Sequence, residues 1–229
     1  MIRWWMILSA VLTLLIGGCT VERAAGSTAP PPAPAIISSA LDAVDSQLPS
    51  TTSSYFINLN SVMFIECGGF TGTGSIIGRN TVITASHVVG EEKVCLVMGS
   101  PAVVTSNHPE LDYAILTIGT TPVAERFPIS CGGFVPGDTY YAIGFAGGRV
   151  FAVTKLVAAQ KSESNYANGD NFNVRFLTGQ SYRGMSGGPV IDDVGNQVGT
   201  VISVSTIGVH TTQSLELKDT SVCEDGRHK

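Results

Sequence analysis

From Tyr55 onward the hydrophobic residues fall into short runs separated by Gly and Asn, the pattern of strands bounded by turns. The runs are Tyr55–Leu59, Ser61–Cys67, Gly74–Ile77, Thr81–Thr84, Lys93–Met98 and Tyr113–Ile118, and then Tyr140–Ile143, Gly148–Val153, Asn173–Phe176, Val190–Ile191 and Gln197–Ser205. Their spacing predicts an all-β domain, a sandwich or a pair of barrels, with no βαβ alternation. No internal repeat is present. Ahead of this region Ile37, Leu41, Val44 and Leu48 recur at helical spacing behind Ser39, a candidate N-cap in Ser39-Ala-Leu-Asp42. A short helix packed on the domain edge is expected there, ended by Pro49.

The N-terminus differs from both. Arg3 precedes an apolar run from Trp4 to Ile16, and Gly17-Gly18-Cys19 follows. At about 1.5 Å per residue such a run spans roughly 20 Å as a helix, short of a ~30 Å hydrocarbon core. A positive start, a short apolar stretch and small residues before a cut describe an export signal over residues 1–18. Ile16-Gly17-Gly18-Cys19 also resembles a bacterial lipobox, which would make Cys19 the lipidated first residue of the mature protein. An ordinary signal peptide or an uncleaved anchor is the other reading. The stretch Ala24 to Ala35 holds four of the eleven prolines and no charge, an extended spacer that cannot build a core. Residues 19–50 are therefore read as tether and short helix, and 51–229 as the folded domain.

Composition narrows the class. The chain has 229 residues, 44% hydrophobic and 14% charged, with 13 basic against 18 acidic residues and a net charge of −5. No basic surface for nucleic acid is expected. Enough apolar material is present for one packed domain, so long disorder is excluded for most of the chain.

Three segments carry candidate chemistry. Thr71-Gly-Thr-Gly-Ser-Ile-Ile runs on to Thr84-Ala-Ser-His87-Val-Val; Leu111-Asp112-Tyr-Ala-Ile-Leu116 follows; Gly184-Met-Ser186-Gly-Gly-Pro-Val190 comes last. Acyl transfer needs a nucleophilic hydroxyl, an imidazole to take its proton and a carboxylate to fix the imidazole's tautomer. Glycines around the hydroxyl let the backbone turn sharply and present N–H groups. Those of Gly184 and Ser186 would form an oxyanion hole. His108, His210 and His228 read as ordinary histidines.

In the order His, Asp, Ser, these segments resemble the chymotrypsin-fold, trypsin-like serine proteases, most closely the bacterial HtrA-type and glutamyl-endopeptidase branches. Thr84-Ala-Ser-His87 is similar to their T-A-x-H element, Asp112-Tyr-Ala-Ile-Leu to their D-x-A-[IL]-[IL] strand, and Gly184–Pro189 to G-x-S-G-[GS]-P. Gly137-Asp-Thr-Tyr-Tyr-Ala-Ile-Gly144 is similar to the strand that opens the second barrel. The resemblance covers about residues 55–210. It implies two antiparallel β-barrels with the active site between them, and a serine endopeptidase (a hydrolase) acting through His87, Asp112 and Ser186 on a protein or peptide substrate. A protease-fold binding protein without catalysis is the alternative from another class. Met185 stands where digestive relatives carry an Asp that pairs with a freed N-terminus, so activation of that kind is not expected. About 40 residues follow Ser186, too few for a PDZ domain.

By the same resemblance, Gln180 lies at the base of the specificity pocket, and the strand carrying Val201, Ser203 and Ser205 forms its wall and pairs with substrate. A neutral Gln180 implies no strong selection for Lys or Arg, and a small or medium apolar side chain is the expected preference. Besides Cys19, four cysteines allow three pairings. The resemblance favours Cys67–Cys95, bracketing His87, and Cys131–Cys223. No metal or cofactor is expected. The protein is read as an exported monomer, anchored to a membrane by lipid at the periplasmic face or cell surface, and otherwise secreted.

Overall fold

The computed structural model describes residues 56–119, 126–160, 164–165, 171–172, 174–205 and 211–224. The signal, Cys19, the Pro/Ala tether, the helix expected over 39–48 and the further histidines His210 and His228 lie outside the described residues.

The all-β expectation holds, as two closed six-stranded antiparallel barrels. The first contains β1 (Val62–Cys67), β2 (Phe70–Gly78), β3 (Thr81–Thr84), β4 (Val94–Val97), β5 (Ser100–His108) and β6 (Tyr113–Ile118). Their order around the barrel is β1-β2-β3-β6-β5-β4. A segment through Phe127 leads to the second barrel. It is built from β7 (Thr139–Ala146), β8 (Val150–Ala158), β11 (Val174–Thr178), β12 (Pro189–Ile191), β13 (Gln197–Ser205) and β14 (Thr211–Glu216), ordered β11-β14-β13-β12-β7-β8. The two-residue strands β9 (Ser164–Asn165) and β10 (Asn171–Phe172) pair only with each other. Two single-turn α-helices, α1 (Ser86–Val89) and α2 (Ser221–Glu224), and two 3-10 segments, Phe56–Ser61 and Leu217–Asp219, complete the description.

The run at Tyr55–Leu59, expected as a strand, is instead 3-10 helix over Phe56–Ser61. The reason is closure: β1 already pairs with β2 on one side and β4 on the other, so no edge is left for a preceding strand.

Core placement explains why several strands are apolar on both faces. Met63, Ile65, Ile76, Val82 and Leu116 fill the first barrel; Tyr140, Leu156, Leu177, Val198 and Val201 fill the second. Two further clusters lie in the seam. One joins Ile77, Ile83 and Tyr113 to Val174, Ile202 and Leu215, and the other joins Val62 to Phe127, Tyr141, Ile143 and Ile191. Alternate residues of β3 therefore face different cores, Val82 inward and Ile83 into the seam. Each fully buried aliphatic side chain contributes about 1.5–3 kcal/mol of hydrophobic stabilisation. A buried polar contact crosses the seam as well, Ser75 Oγ to Gln197 Oε1 at 3.0 Å.

Disulfides join Cys67 to Cys95 and Cys131 to Cys223, closing sequence separations of 28 and 92 residues. The first links β1 to β4. The second ties the segment entering the second barrel to α2. That helix returns to the first barrel, where Val222 packs with Ile77 and the Tyr113 hydroxyl accepts from the Ser221 N–H at 3.3 Å.

Candidate active site

His87 sits on α1, the single turn that follows β3. Val88 and Val89 bury into the first barrel and leave the imidazole outward, its side chain 47% exposed. Asn107 of β5 holds both ends of this turn: its Oδ1 accepts from Ser86 Oγ at 2.6 Å and its Nδ2 donates to the Gly90 carbonyl at 2.8 Å. The side-chain amide is thus a brace across the turn.

Asp112 immediately precedes β6 and has a φ of 56°, one of two described non-glycine residues in the left-handed region. Asp tolerates this conformation better than most residues. The turn aims its carboxylate at His87. Oδ1 accepts from the His87 backbone N–H at 2.9 Å, and Oδ2 and Oδ1 lie 2.8 and 3.0 Å from Nδ1. A carboxylate can only accept, so Nδ1 carries the proton and a neutral ring keeps its lone pair on Nε2. The carboxylate side chain is only 12% exposed, against 47% for the imidazole.

Ser186 lies in the loop between β11 and β12, where glycine is required twice. Gly184 has a φ of 90°, and a Cβ there would meet the Phe145 carbonyl and lie 2.6 Å from the Gly148 nitrogen. Gly187 has a φ of 84°; a Cβ on it would meet the Thr73 carbonyl and Thr84 Oγ1 and stand 2.7 Å from the Ala85 nitrogen. The Ser186 loop is thereby pressed against the residues just ahead of His87. Among the described residues the Ser186 hydroxyl makes no hydrogen bond, so the His87–Asp112 pair is joined and Ser186 is linked to neither. Such contacts are commonly loose without substrate.

The peptides around Ser186 are fixed. The Arg183 carbonyl accepts from the Gly147 N–H at 2.6 Å, and the Met185 carbonyl accepts from the Gly188 N–H at 2.9 Å. In a trans peptide the N–H points opposite its carbonyl. The N–H groups of Gly184 and Ser186 consequently point away from these anchors, and among the described residues neither donates to a protein acceptor. Two oriented, unpaired donors beside a hydroxyl can stabilise developing negative charge on oxygen.

The residues expected to read the substrate divide. Gln180 is exposed after β11. Val201 is buried in the second barrel core, with its N–H bonded to the Gly188 carbonyl at 2.9 Å and its carbonyl to the Gly187 N–H at 2.6 Å. Both its backbone groups therefore hold the Ser186 loop. Ser203 is half-buried on β13 opposite Gln213, and Ser205 pairs with Thr211 at the strand's end. Beneath Gln180, buried Ser181 and Thr212 meet hydroxyl to hydroxyl at 2.9 Å, and Thr212 Oγ1 donates to the Gly179 carbonyl at 3.1 Å. Sequence reasoning passed over these two, as it did Thr73, Asn107 and Gly147. Only Thr73, a polar residue between two glycines in a strand, left any visible trace. Among the described residues no group of His, Cys, Asp and Glu is arranged to hold a metal ion.

Known structures share this architecture. The Rv3671c protease from M. tuberculosis in its active form is 24% identical, with a TM-score of 0.63 over 73% of this chain and 82% of that one. The MamO protease domain from Magnetospirillum magneticum is 21% identical at a TM-score of 0.60, over 72% and 95%. The HtrA-type protease AlgW with a tripeptide is 18% identical at 0.65, over 74% and 60%. No curated protein matches the chain in sequence. Residues 72–199 match the trypsin-like peptidase domain. That stretch runs from the glycines of β2 through Asp112 and Ser186 to β13 and makes up more than half of the chain. The protein therefore belongs to the trypsin-like peptidase domain family.

Proposed function

We propose that the protein is an exported serine endopeptidase that cleaves peptide bonds through an acyl-enzyme on Ser186. The reading is supported by the hydrogen-bonded His87–Asp112 pair, together with a Ser186 loop in which the Gly184 and Ser186 N–H groups are unpaired among the described residues. His87 Nε2 takes the Ser186 proton as the hydroxyl oxygen attacks the scissile carbonyl. Asp112 holds the ring and stabilises the imidazolium. The carbonyl oxygen, now negative, sits on the N–H groups of Gly184 and Ser186. One such donor is worth about 10²–10³ in turnover. His87 then protonates the leaving amine, and water admitted by the same base releases the acyl group.

Substrate binds as an added strand along the end of β13, with Ser203 and Ser205 in its path and Gln180 at the pocket. A neutral pocket residue favours a small or medium apolar side chain on the acyl side of the cut. Two disulfides fit an oxidising compartment, which supports export. Lipid at Cys19 would add membrane attachment.

Labelling with a fluorophosphonate tests the assignment. Wild type should react, and Ser186→Ala and His87→Ala should not. Asp112→Asn should keep its fold and lose roughly 10⁴-fold in turnover, because an amide N–H donating to Nδ1 holds the imidazole in the wrong tautomer. Equal labelling of wild type and Ser186→Ala would leave a protease-fold binding protein.

A further inference from the structure

Thr73 is fully buried on β2, between two glycines and within the first barrel's contribution to the seam. All of its polar groups are committed, and its hydroxyl and N–H make three hydrogen bonds to the second barrel. Its hydroxyl donates to the Gly184 carbonyl at 2.7 Å and accepts from the Phe145 N–H at 3.0 Å. Its N–H donates to the Ser186 carbonyl at 2.8 Å. Its own carbonyl accepts from Thr84 Oγ1 at 2.7 Å.

These contacts bear on one atom. Gly184 lacks a Cβ, so the direction of its N–H is set by the two peptides that flank it. The preceding peptide is held at the Arg183 carbonyl by the Gly147 N–H. The following peptide is held at the Gly184 carbonyl by the Thr73 hydroxyl. Gly147 belongs to the β7–β8 turn, two residues after Phe145, whose N–H the same hydroxyl holds. One hydroxyl thus fixes one flanking peptide directly and steadies the turn that fixes the other. A bare hydrogen-bonding role in the fold would not require the two partners to converge on Gly184.

We propose that Thr73 is a positioning residue for acyl transfer: from the first barrel, its hydroxyl aims the Gly184 N–H at the oxygen that becomes negative. The proposal rests on the peptidase reading above for its kinetic consequence, and on Gly184 geometry alone for its structural one. A hydroxyl that acts this way matters more to the transition state than to ground-state binding.

Thr73→Val keeps the branched shape and removes the hydroxyl. Its kcat should fall roughly 10- to 100-fold with KM nearly unchanged, because the Gly184 donor is misdirected rather than deleted. Affinity for a peptide boronate, which forms a tetrahedral adduct on the serine, should fall by a similar factor, while a cleaved product peptide should bind as before. Thr73→Ser restores the hydroxyl and should recover most of the kcat. An unchanged kcat, or a rise in KM at constant kcat, would overturn the proposal. Crystal structures of wild type and Thr73→Val form a second arm that needs no turnover. The Gly184 peptide should rotate in the variant, and an unrotated peptide would count against the proposal. A wild type inert to fluorophosphonate would remove the peptidase reading while this comparison still decided the position of Gly184. Should Thr73→Val not fold, the wild-type boronate complex decides: Gly184 must keep its carbonyl on Thr73 while its N–H holds a boronate oxygen, and a carbonyl that had left Thr73 would overturn the assignment.

Discussion

Glu216 is nearly inaccessible on β14, yet it is held as a carboxylate. Burial pushes its carboxyl up, but Lys218, the Phe134 N–H and Arg175 outweigh that and hold it below its ordinary 4.5. Lys218 Nζ stands 2.6 Å from Oε2 and Arg175 Nη2 3.1 Å from Oε1. A lowered folded value stabilises the fold above pH 4.5 and is lost as pH falls through that lower value. Asp219 is opposite in sign: burial, against a smaller opposing pull from Lys218, raises it above 3.8, and its Oδ2 has no partner among the described residues. Its ionised form is a liability that acid relieves. Glu216→Gln should therefore cost about 3 kcal/mol near neutrality, by leaving half-buried Arg175 without its anion, and should flatten the loss of thermal stability as pH falls below 4.5. Asp219→Asn should raise stability near neutrality and leave that acid loss in place. A Glu216→Gln acid profile parallel to wild type would refute the account. At this scale His87, Asp112 and Ser186 stand out in sequence as candidates because their neighbours are specific. Glu216, Asn107 and Thr73 do not, since each also depends on partners distant in sequence, such as Arg175, Ser86 and Phe145, 41, 21 and 72 residues away.

Strands buried on both faces were the easiest elements to read. β3, β6 and β13 form over the very runs expected, Thr81–Thr84, Tyr113–Ile118 and Gln197–Ser205. β5 and β14 escaped notice for opposite reasons. Much of β5 is exposed and it begins Ser-Pro, while β14 buries Thr212 and Ser214 and so carries polar residues on an inner face. A polar strand is satisfied here by hydrogen bonds such as Ser214 Oγ to the Thr200 carbonyl at 3.0 Å. The double-faced strands also separate stability from alignment. Val82 and Ile83 are both fully buried, but only Ile83 touches the cluster that includes Ile202 and Leu215 of the second barrel. Either Ala substitution should destabilise, Ile83→Ala by about 2–5 kcal/mol in urea unfolding. Ile83→Ala should in addition lower turnover roughly tenfold or more, since a small slip of one barrel on the other displaces Ser186 from His87. Equal turnover in folded Val82→Ala and Ile83→Ala would show that the seam does not set the alignment.

The whole molecule closes on itself through its C-terminal segment. α2 packs on the first barrel, and Cys223 bonds Cys131 at the entry to the second. In the chain-entropy account, loops of this length make a disulfide worth about 4–5 kcal/mol, so oxidation is part of how the fold persists. That places folding outside a reducing cytosol and brings the N-terminus into the argument. Its apolar run before Cys19 is too short to span a bilayer as a helix, and the Pro-rich stretch Ala24 to Ala35 carries no charge. At about 3.1 Å per residue, twelve residues in extended form would reach roughly 37 Å, long enough to serve as a spacer if Cys19 carries lipid. One acyl chain would bind only marginally, and stable attachment needs more than one. Wild type should accordingly fractionate with membranes and give a lipid-modified N-terminus at Cys19 by mass spectrometry. Cys19→Ser should lose that modification, keep both disulfides and retain peptidase activity in solution, because His87, Asp112 and Ser186 are placed by barrels that do not involve it. Wild type found soluble and unmodified would remove the anchor and leave the tether as a leader to a secreted enzyme.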